Sequence, residues 1–323
     1  MPRSEGSAQE IKNIMQPIIE KVDPQLILRE LTPDRLLRTT NKGDNEIYVV
    51  DAFTAPNTMR EIGRLREIAF RDGGGGTGKE CDIDEFDTME RPCQQMIVWN
   101  PQANEIIGGY RFLLGEDMEI RDGIPNIAVS HMFRFSERFI KEYLPQTIEL
   151  GRSFVTLEYQ TTKAGPKAIY ALDNLWDGLG ALTVKYPQIK YLFGKFTMYP
   201  SYGTECRDML LGFLHKYFPD PDRLVEPIDP LPTGADDPAI QEMFTGNSFK
   251  EDLRILNHKI REEGRNIPPL VNAYMALSPT MKLFGTAVNH EFGDVEETGI
   301  FFKISEIFEE KKHRHIGTYT APQ

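Results

Sequence analysis

Charged side chains stand where this chain has to build a core. Arg66 falls on the apolar face of a helical stretch, four residues after Ile62 and beside Leu65 and Ala69. Arg111 sits mid-strand in Gly109-Tyr110-Arg111-Phe112, and Glu149-Leu150-Gly151-Arg152-Ser153 interrupts a run of β-formers. Desolvating a guanidinium alone is very costly, so the fold must bring carboxylates to these arginines. Asp82, Asp84 and Asp87, with Glu85 between them, are the nearest in sequence. Side chains alternate along a strand, so Glu149 and Arg152 should point to opposite faces. A β-bulge at Gly151 would return both to one face, and a glycine between two charged residues is where such a bulge belongs. The residues alone leave two readings open: an ion-pair network that only holds the fold, or a reactive site.

The rest of the pattern predicts the frame around them. Residues 1–45 read as an arm of two short helices. Ile11, Ile14, Ile18 and Ile19 lie near one face of the first, and Thr32-Pro33 opens the second. Strands are expected at 45–50, 95–99, 106–113, 147–157 and 191–198, with the Asn100–Asn104 turn joining two of them as a hairpin. Helices are expected at 57–70, near 131–143, along Leu172–Tyr186, and around Met209–Tyr217. Six of the 22 prolines fall between 219 and 238, which argues against regular structure there. Ser248-Phe249-Lys250-Glu251 is a capping box opening a helix that ends near Gly264. The apolar stretch 269–304 should return to the core. Mixed hairpins and crossovers make the class α+β, or mixed α/β. The expected division is an arm at 1–45, a core at 46–218, a proline-rich segment with a helix at 219–265, and a returning segment at 266–323.

Composition narrows the function. The 37 basic and 49 acidic residues give a net charge of −12, which argues against a nucleic-acid binder. No apolar run is long enough for a membrane-spanning helix, and the start lacks the apolar core of a signal peptide. Three widely spaced cysteines form no CxxC pair, and His131, His215, His258 and His290 are scattered, so no metal site is expected. A reducing cytoplasm is the simplest compartment. Gly73–Lys79 satisfies the G-x-x-x-x-G-K phosphate-loop pattern. A helix precedes it rather than a strand, Glu80 replaces the required hydroxyl, and carboxylates follow, so it reads as a flexible glycine loop.

At the charged residues a resemblance becomes visible. Arg66-x-x-x-Phe70, Asp82-x-Asp84-x-x-Asp87, Arg111 and Glu149-Leu150-Gly151-Arg152 resemble the acyltransferase branch of the GNAT superfamily. That branch holds the autoinducer synthases, the N-acyl amino acid synthases, and the ornithine-lipid and glycine-lipid N-acyltransferases often labelled "hemolysin". Glu149–Ser153 and Ile267-Pro268-Pro269-Leu270-Val271-x-x-Tyr274 are closest to the lipid N-acyltransferases. The resemblance covers roughly 46–200 and 266–304. It implies a GNAT-like fold, with a central twisted mixed sheet flanked by helices, an N-terminal arm and a C-terminal elaboration.

It also implies a chemistry: a fatty acyl group, 3-hydroxylated or not, moves from a carrier-protein thioester to the α-amine of an amino acid, with glycine and ornithine favoured. Glu149 would take the amine's proton, its pKa raised by burial, and Arg152 would orient Glu149 or hold the substrate carboxylate. Arg66, Asp82, Asp84, Asp87 and Arg111 would bind substrate or fix one another. Phe70, Trp99, Phe112 and Phe154 would line the acyl tunnel. Gln160–Pro166 stands where the pyrophosphate loop is usual. It keeps Lys163 and Gly165 but lacks a glycine pair, which favours a carrier protein's phosphopantetheine over coenzyme A; no tightly bound cofactor is expected. The tryptophan of autoinducer synthases after the Phe70 position is missing, which weighs against S-adenosylmethionine. Two alternatives stand: a synthase using that cofactor, and a non-catalytic GNAT-like module. The partners expected are an acyl carrier protein, an amino acid and, at the periphery, the inner membrane. The basic residues of 311–315, Lys163 and Lys167 are candidates for the carrier contact.

Overall fold

The computed structural model describes residues 15–160, 166–246 and 248–319, with 166–169 described in backbone alone. The first half of the chain holds α1 Pro24–Glu30, β1 Leu36–Thr39, β2 Glu46–Val50, α2 Pro56–Gly73, α3 Glu85–Thr88, β3 Gln94–Asn100, β4 Glu105–Leu114, β5 Ile120–Arg121, β6 Ile124–Pro125, β7 Phe133–Phe135 and β8 Thr147–Val155. The second half holds α4 Pro166–Lys185, β9 Tyr191–Met198, α5 Thr204–Tyr217, β10 Val225–Pro227, α6 Pro238–Met243, α7 Phe249–Glu262, α8 Pro269–Met275, β11 Lys282–Asn289, β12 Val295–Lys303 and α9 Glu309–His315. Eight strands form one sheet in the order β1-β2-β3-β4-β8-β9-β12-β11. Its pairs are antiparallel except β8 with β9, which are joined by α4, the crossover a parallel pair requires.

Both faces of the sheet are covered, which is why β3 and β4 are buried nearly throughout. One face presents Met96, Val98, Phe112, Ile148, Leu192 and Phe302 to Leu175, Leu179 and Leu182 of α4 and to Leu210 and Phe213 of α5. The other presents Val50, Ile97, Trp99 and Phe154 to Ile27 of α1 and to Met59, Ile62 and Phe70 of α2. Farther along that second face Phe193 and Phe301 join an aromatic cluster around Phe139, with ring centroids 5.9 and 5.5 Å away. The charged residues lie between these two apolar clusters.

Several local expectations are corrected. Residues 1–14 lie outside the described chain, Met15–Val22 is not helical, and the first described helix is α1, where the Asp23 side chain accepts from Gln25 N with Pro24 at the first position. Thr32-Pro33 opens only a single 3-10 turn, because Leu36–Thr39 is drawn into the sheet beside β2. The helix expected near 131–143 is instead β7, paired with β10, followed by a π-helical turn at Phe139–Tyr143; the alternating burial of Phe133 and Phe135 is a strand pattern. The strand expected to reach 157 ends at Val155. The proline-rich segment holds the short β10 and is otherwise irregular up to α6. The helix opened by Ser248 is α7, with Ser248 Oγ accepting from Glu251 N.

The glycine loop is anchored rather than loose. Gly74 closes α2 with a left-handed φ of +97°. Beyond it the buried Glu67 carboxylate accepts from Thr77 N at 3.1 Å, Thr77 Oγ1 at 2.8 Å and Gly78 N at 2.8 Å. A carboxylate of the chain itself fills the place where a nucleotide-binding loop would hold phosphate. Glu67→Ala strands these donors at a cost of about 1–3 kcal/mol, and limited proteolysis should then cut within 73–80. Trp99→Ala should cost about 3–5 kcal/mol in denaturant unfolding, while Phe53→Ala should stay within about 0.5 kcal/mol. Trp99 is 1% exposed and Phe53 63%.

Candidate active site

The acidic segment reaches the arginines because the backbone lets it. A Cβ on Gly63 of α2 would stand 2.5 Å from Cys81 Sγ, so only glycine there allows 81–83 to lie against the helix. Asp84 and Asp87 then form a reciprocal capping box. Asp84 Oδ1 accepts from Phe86 N and Asp87 N, and Asp87 Oδ2 accepts from Asp84 N. The cap places both carboxylates among the guanidiniums. Arg66 Nη1 lies 3.3 Å from Asp87 Oδ2, and Arg111 Nη1 lies 3.4 Å from Asp87 Oδ1 and 2.6 Å from Asp84 Oδ1. Arg152 lies 3.4 Å from Asp84 Oδ2 and 3.0 Å from Asp82 Oδ2. Gln95 closes the chain of contacts, donating to Asp87 Oδ1 at 2.9 Å and accepting from Arg66 Nη2. Burial pushes the Asp84 carboxyl up, but the Arg111 guanidinium outweighs it and holds the carboxyl at about 2.

The expected bulge is present, displaced by one residue. Arg111 faces Gly151 and Gly109 faces Phe154, so Tyr110 alone opposes Arg152 and Ser153. Arg152 takes up the extra residue at φ +48°, in the left-handed region. A side chain there costs of order 1–3 kcal/mol. Its guanidinium is held in return by two aspartates and lies 4.5 Å above the Phe292 ring. Glu149 and Arg152 therefore share the second face of the sheet.

Glu149 is 3% exposed and, unlike the three aspartates, makes no ion pair among the described residues. Burial pushes its carboxyl up, and the pull of Arg111 and Lys195 does not cancel that. Its Oε1 lies 3.5 Å from where a Gly151 side chain would begin. Lys195 on β9 ion-pairs with Glu297 on β12, which is fully buried. Burial pulls the Lys195 ammonium down while Glu297 opposes it.

The polar groups border a cavity of about 620 Å³. It exists because β8 and β9 pair only over Thr147–Leu150 and Tyr191–Gly194, then part as β8 runs to Val155 and β9 to Met198. Arg152, Phe154, Phe70, Phe292 and Lys195 line it from the charged face, and Leu175, Trp176, Tyr274 and Phe302 from the other, so it passes through the gap in the sheet. A pocket of this size with few polar groups suits a small-molecule site.

Arg66, Arg111, Asp82, Asp84, Asp87, Glu149 and Arg152 are thus brought together. Phe70 and Phe154 line the cavity. Trp99 and Phe112 do not: Trp99 packs under α1 and α2, and Phe112 packs against α4 on the opposite face, because strand alternation and the distance from the gap both remove them. Glu149 stands behind Gly151 rather than on the cavity wall. Lys163 and Gly165 lie outside the described residues. Gln95, Lys195 and Glu297 were not anticipated; Lys195 interrupts an apolar run of β9, the signal that exposed Arg111, whereas Gln95 follows Gln94 and Glu297 stands between Glu296 and Thr298.

Residues 65–167 match the family of the acetyltransferase (GNAT) domain. The glycine N(alpha)-acyltransferase of Bacteroides thetaiotaomicron is 62% identical over 306 residues, covering 94% of this chain and 91% of that protein. The glycine N(alpha)-acyltransferase of Phocaeicola vulgatus is 58% identical over 306 residues, covering 94% of each. Among solved structures, the AHL synthase LasI aligns with a TM-score of 0.40 and 11% identity over 87% of this chain and all of its own. At 62% identity across nearly its whole length, this chain belongs to the GNAT N-acyltransferase family of those two relatives and is an acyltransferase.

Proposed function

We propose that the protein transfers a fatty acyl group, including 3-hydroxylated chains, from the phosphopantetheine thioester of an acyl carrier protein to the α-amine of glycine. The observation that carries this reading is the buried Glu149, without an ion pair among the described residues, beside a cavity opened where β8 and β9 part. The relatives' names supply the amine: both are glycine N(alpha)-acyltransferases. Ornithine is the second amine to test, and coenzyme A the second donor. The product would be an aminolipid, and a peripheral contact with the inner membrane is proposed on that ground alone. Among the described residues no helix is long and apolar enough to cross one. No separate observation favours the S-adenosylmethionine-using alternative.

In this mechanism the acyl chain occupies the apolar end of the cavity, near Trp176 and Tyr274, and the thioester carbonyl lies at the bulge. The glycine ammonium gives its proton to Glu149, directly or through one water in the space that Gly151 leaves open. A carboxylate whose pKa is raised by burial holds that proton better than an ordinary glutamate. The free amine attacks the carbonyl carbon, and backbone N–H groups released from the ladder at Arg152 and Ser153 face the oxyanion. The C–S bond then breaks and the amide forms, the second proton of the attacking nitrogen passing to the departing thiolate while Glu149 releases the first to solvent. Arg152, fixed between Asp82 and Asp84, keeps a positive charge near Glu149 and orients it.

Incubation with acyl and 3-hydroxyacyl carrier protein, acyl-coenzyme A and a panel of amino acids should yield N-acylglycine by mass spectrometry. Thioester turnover without amide would overturn the reading. Glu149→Gln should lower kcat by about 10²–10⁴ at unchanged fold; full activity would remove Glu149 as the base. The base must be ionised to work, so kcat/KM should fall as pH drops through its raised pKa. That acid limb should lie above the ordinary glutamate value of 4.5.

A further inference from the structure

Lys195 lines the cavity together with two other charged residues, Asp72 and Arg152, and nothing in the acyl-transfer steps above uses it. It sits mid-strand in β9, one of the two strands whose parting opens the cavity. The three arginines of the site are each held between two acceptors: Arg66 by Asp87 and Gln95, Arg111 by Asp84 and Asp87, Arg152 by Asp82 and Asp84. Among the described residues Lys195 has a single anionic partner, Glu297, on the side away from β8. An ammonium carries three donors, and one carboxylate oxygen takes one of them. The remaining donors belong to a head group that lines the cavity. Burial pulls the Lys195 ammonium down, and the ion pair with buried Glu297 opposes that pull and holds the head group in place. Glu149 and Arg152 are close enough across the gap to act on Lys195 electrostatically.

We propose that Lys195 is the anchor for the carboxylate of the amino acid substrate. The proposal rests on the N-acyl transfer reading above and adds to it the group that selects an amino acid over a simple amine. A zwitterionic substrate fits this arrangement end to end: its ammonium faces Glu149 behind Gly151 on β8, and its carboxylate faces Lys195 on β9. Arg152, already between two aspartates, is left with the orienting role. Glu297 is a positioning residue that holds the Lys195 head group.

The test compares glycine with glycinamide, which keeps the amine and lacks the carboxylate. Steady-state kinetics of both amines are measured with one saturating acyl donor, for the wild type and for Lys195→Met. The ratio of kcat/KM for glycine to that for glycinamide should fall by about tenfold or more in the variant, mainly through KM for glycine. A loss shared equally by the two amines would leave the ratio unchanged and overturn the proposal, assigning Lys195 to the oxyanion or to the fold. Should Lys195→Met not fold, Lys195→Gln removes the same charge with a polar head against Glu297, and the same ratio decides. A wild type that acylates neither amine sinks the reading of the function. A wild type that prefers glycine, with a variant that keeps that preference, sinks only the role of Lys195.

Discussion

Asp87 is shared between Arg66 and Arg111, and Asp84 between Arg111 and Arg152, so three guanidiniums from one helix and two strands converge on a four-residue helix. The contacts continue a line of polar residues across the sheet, from Gln95 on β3 to Arg111 on β4, Arg152 on β8, Lys195 on β9 and Glu297 on β12. Removing one partner from a buried pair of this kind costs about 3–5 kcal/mol, because the other charge is left desolvated. The line therefore fixes how α2, the acidic segment and the strands sit against one another. It also separates the α1–α2 apolar cluster from the aromatic cluster on the same face.

The same line prepares the chemistry. Four cations face five carboxyl groups, and among the described residues the fifth, Glu149, has no ion pair. In a region this dry, the acid without a partner is the one that takes up a proton most readily. The parting of β8 and β9 brings a cavity to that point, and the bulge at Arg152 turns backbone and side chain toward it. The structural reading of the charges and the catalytic one are not exclusive: the pairs that hold Arg66, Arg111 and Arg152 are what leave Glu149 exceptional.

Much of this was legible in the residues because burial makes charge conspicuous. Arg66 on an apolar helical face, Arg111 mid-strand and Glu149 beside Gly151 each break a periodic pattern, and each is in the site. The bulge was readable from the two-residue period, though not that Arg152 itself would take the left-handed turn. Lys195 breaks its strand in the same way, but Glu297 lies between Glu296 and Thr298, and the strands' neighbours could not be known, so their meeting across β9 and β12 stayed hidden. Trp99 and Phe112 show the converse: an aromatic in a strand carries no mark of whether its face meets a cavity or a helix. The glycine loop reads as loose because its anchor, Glu67, lies six residues before Gly73, inside α2, where it looks like any helical glutamate.

The account turns on Glu149 being an acid of raised pKa held in a line of satisfied charges. Infrared difference titration can observe it directly, as the protonated carboxyl stretch present in the wild type and missing in Glu149→Gln. The structure predicts that this band persists above the ordinary glutamate value of 4.5 and is lost only at higher pH. A band that vanishes at or below that value would mean that Glu149 is one more ionised member of the network, and the account of the site would fail.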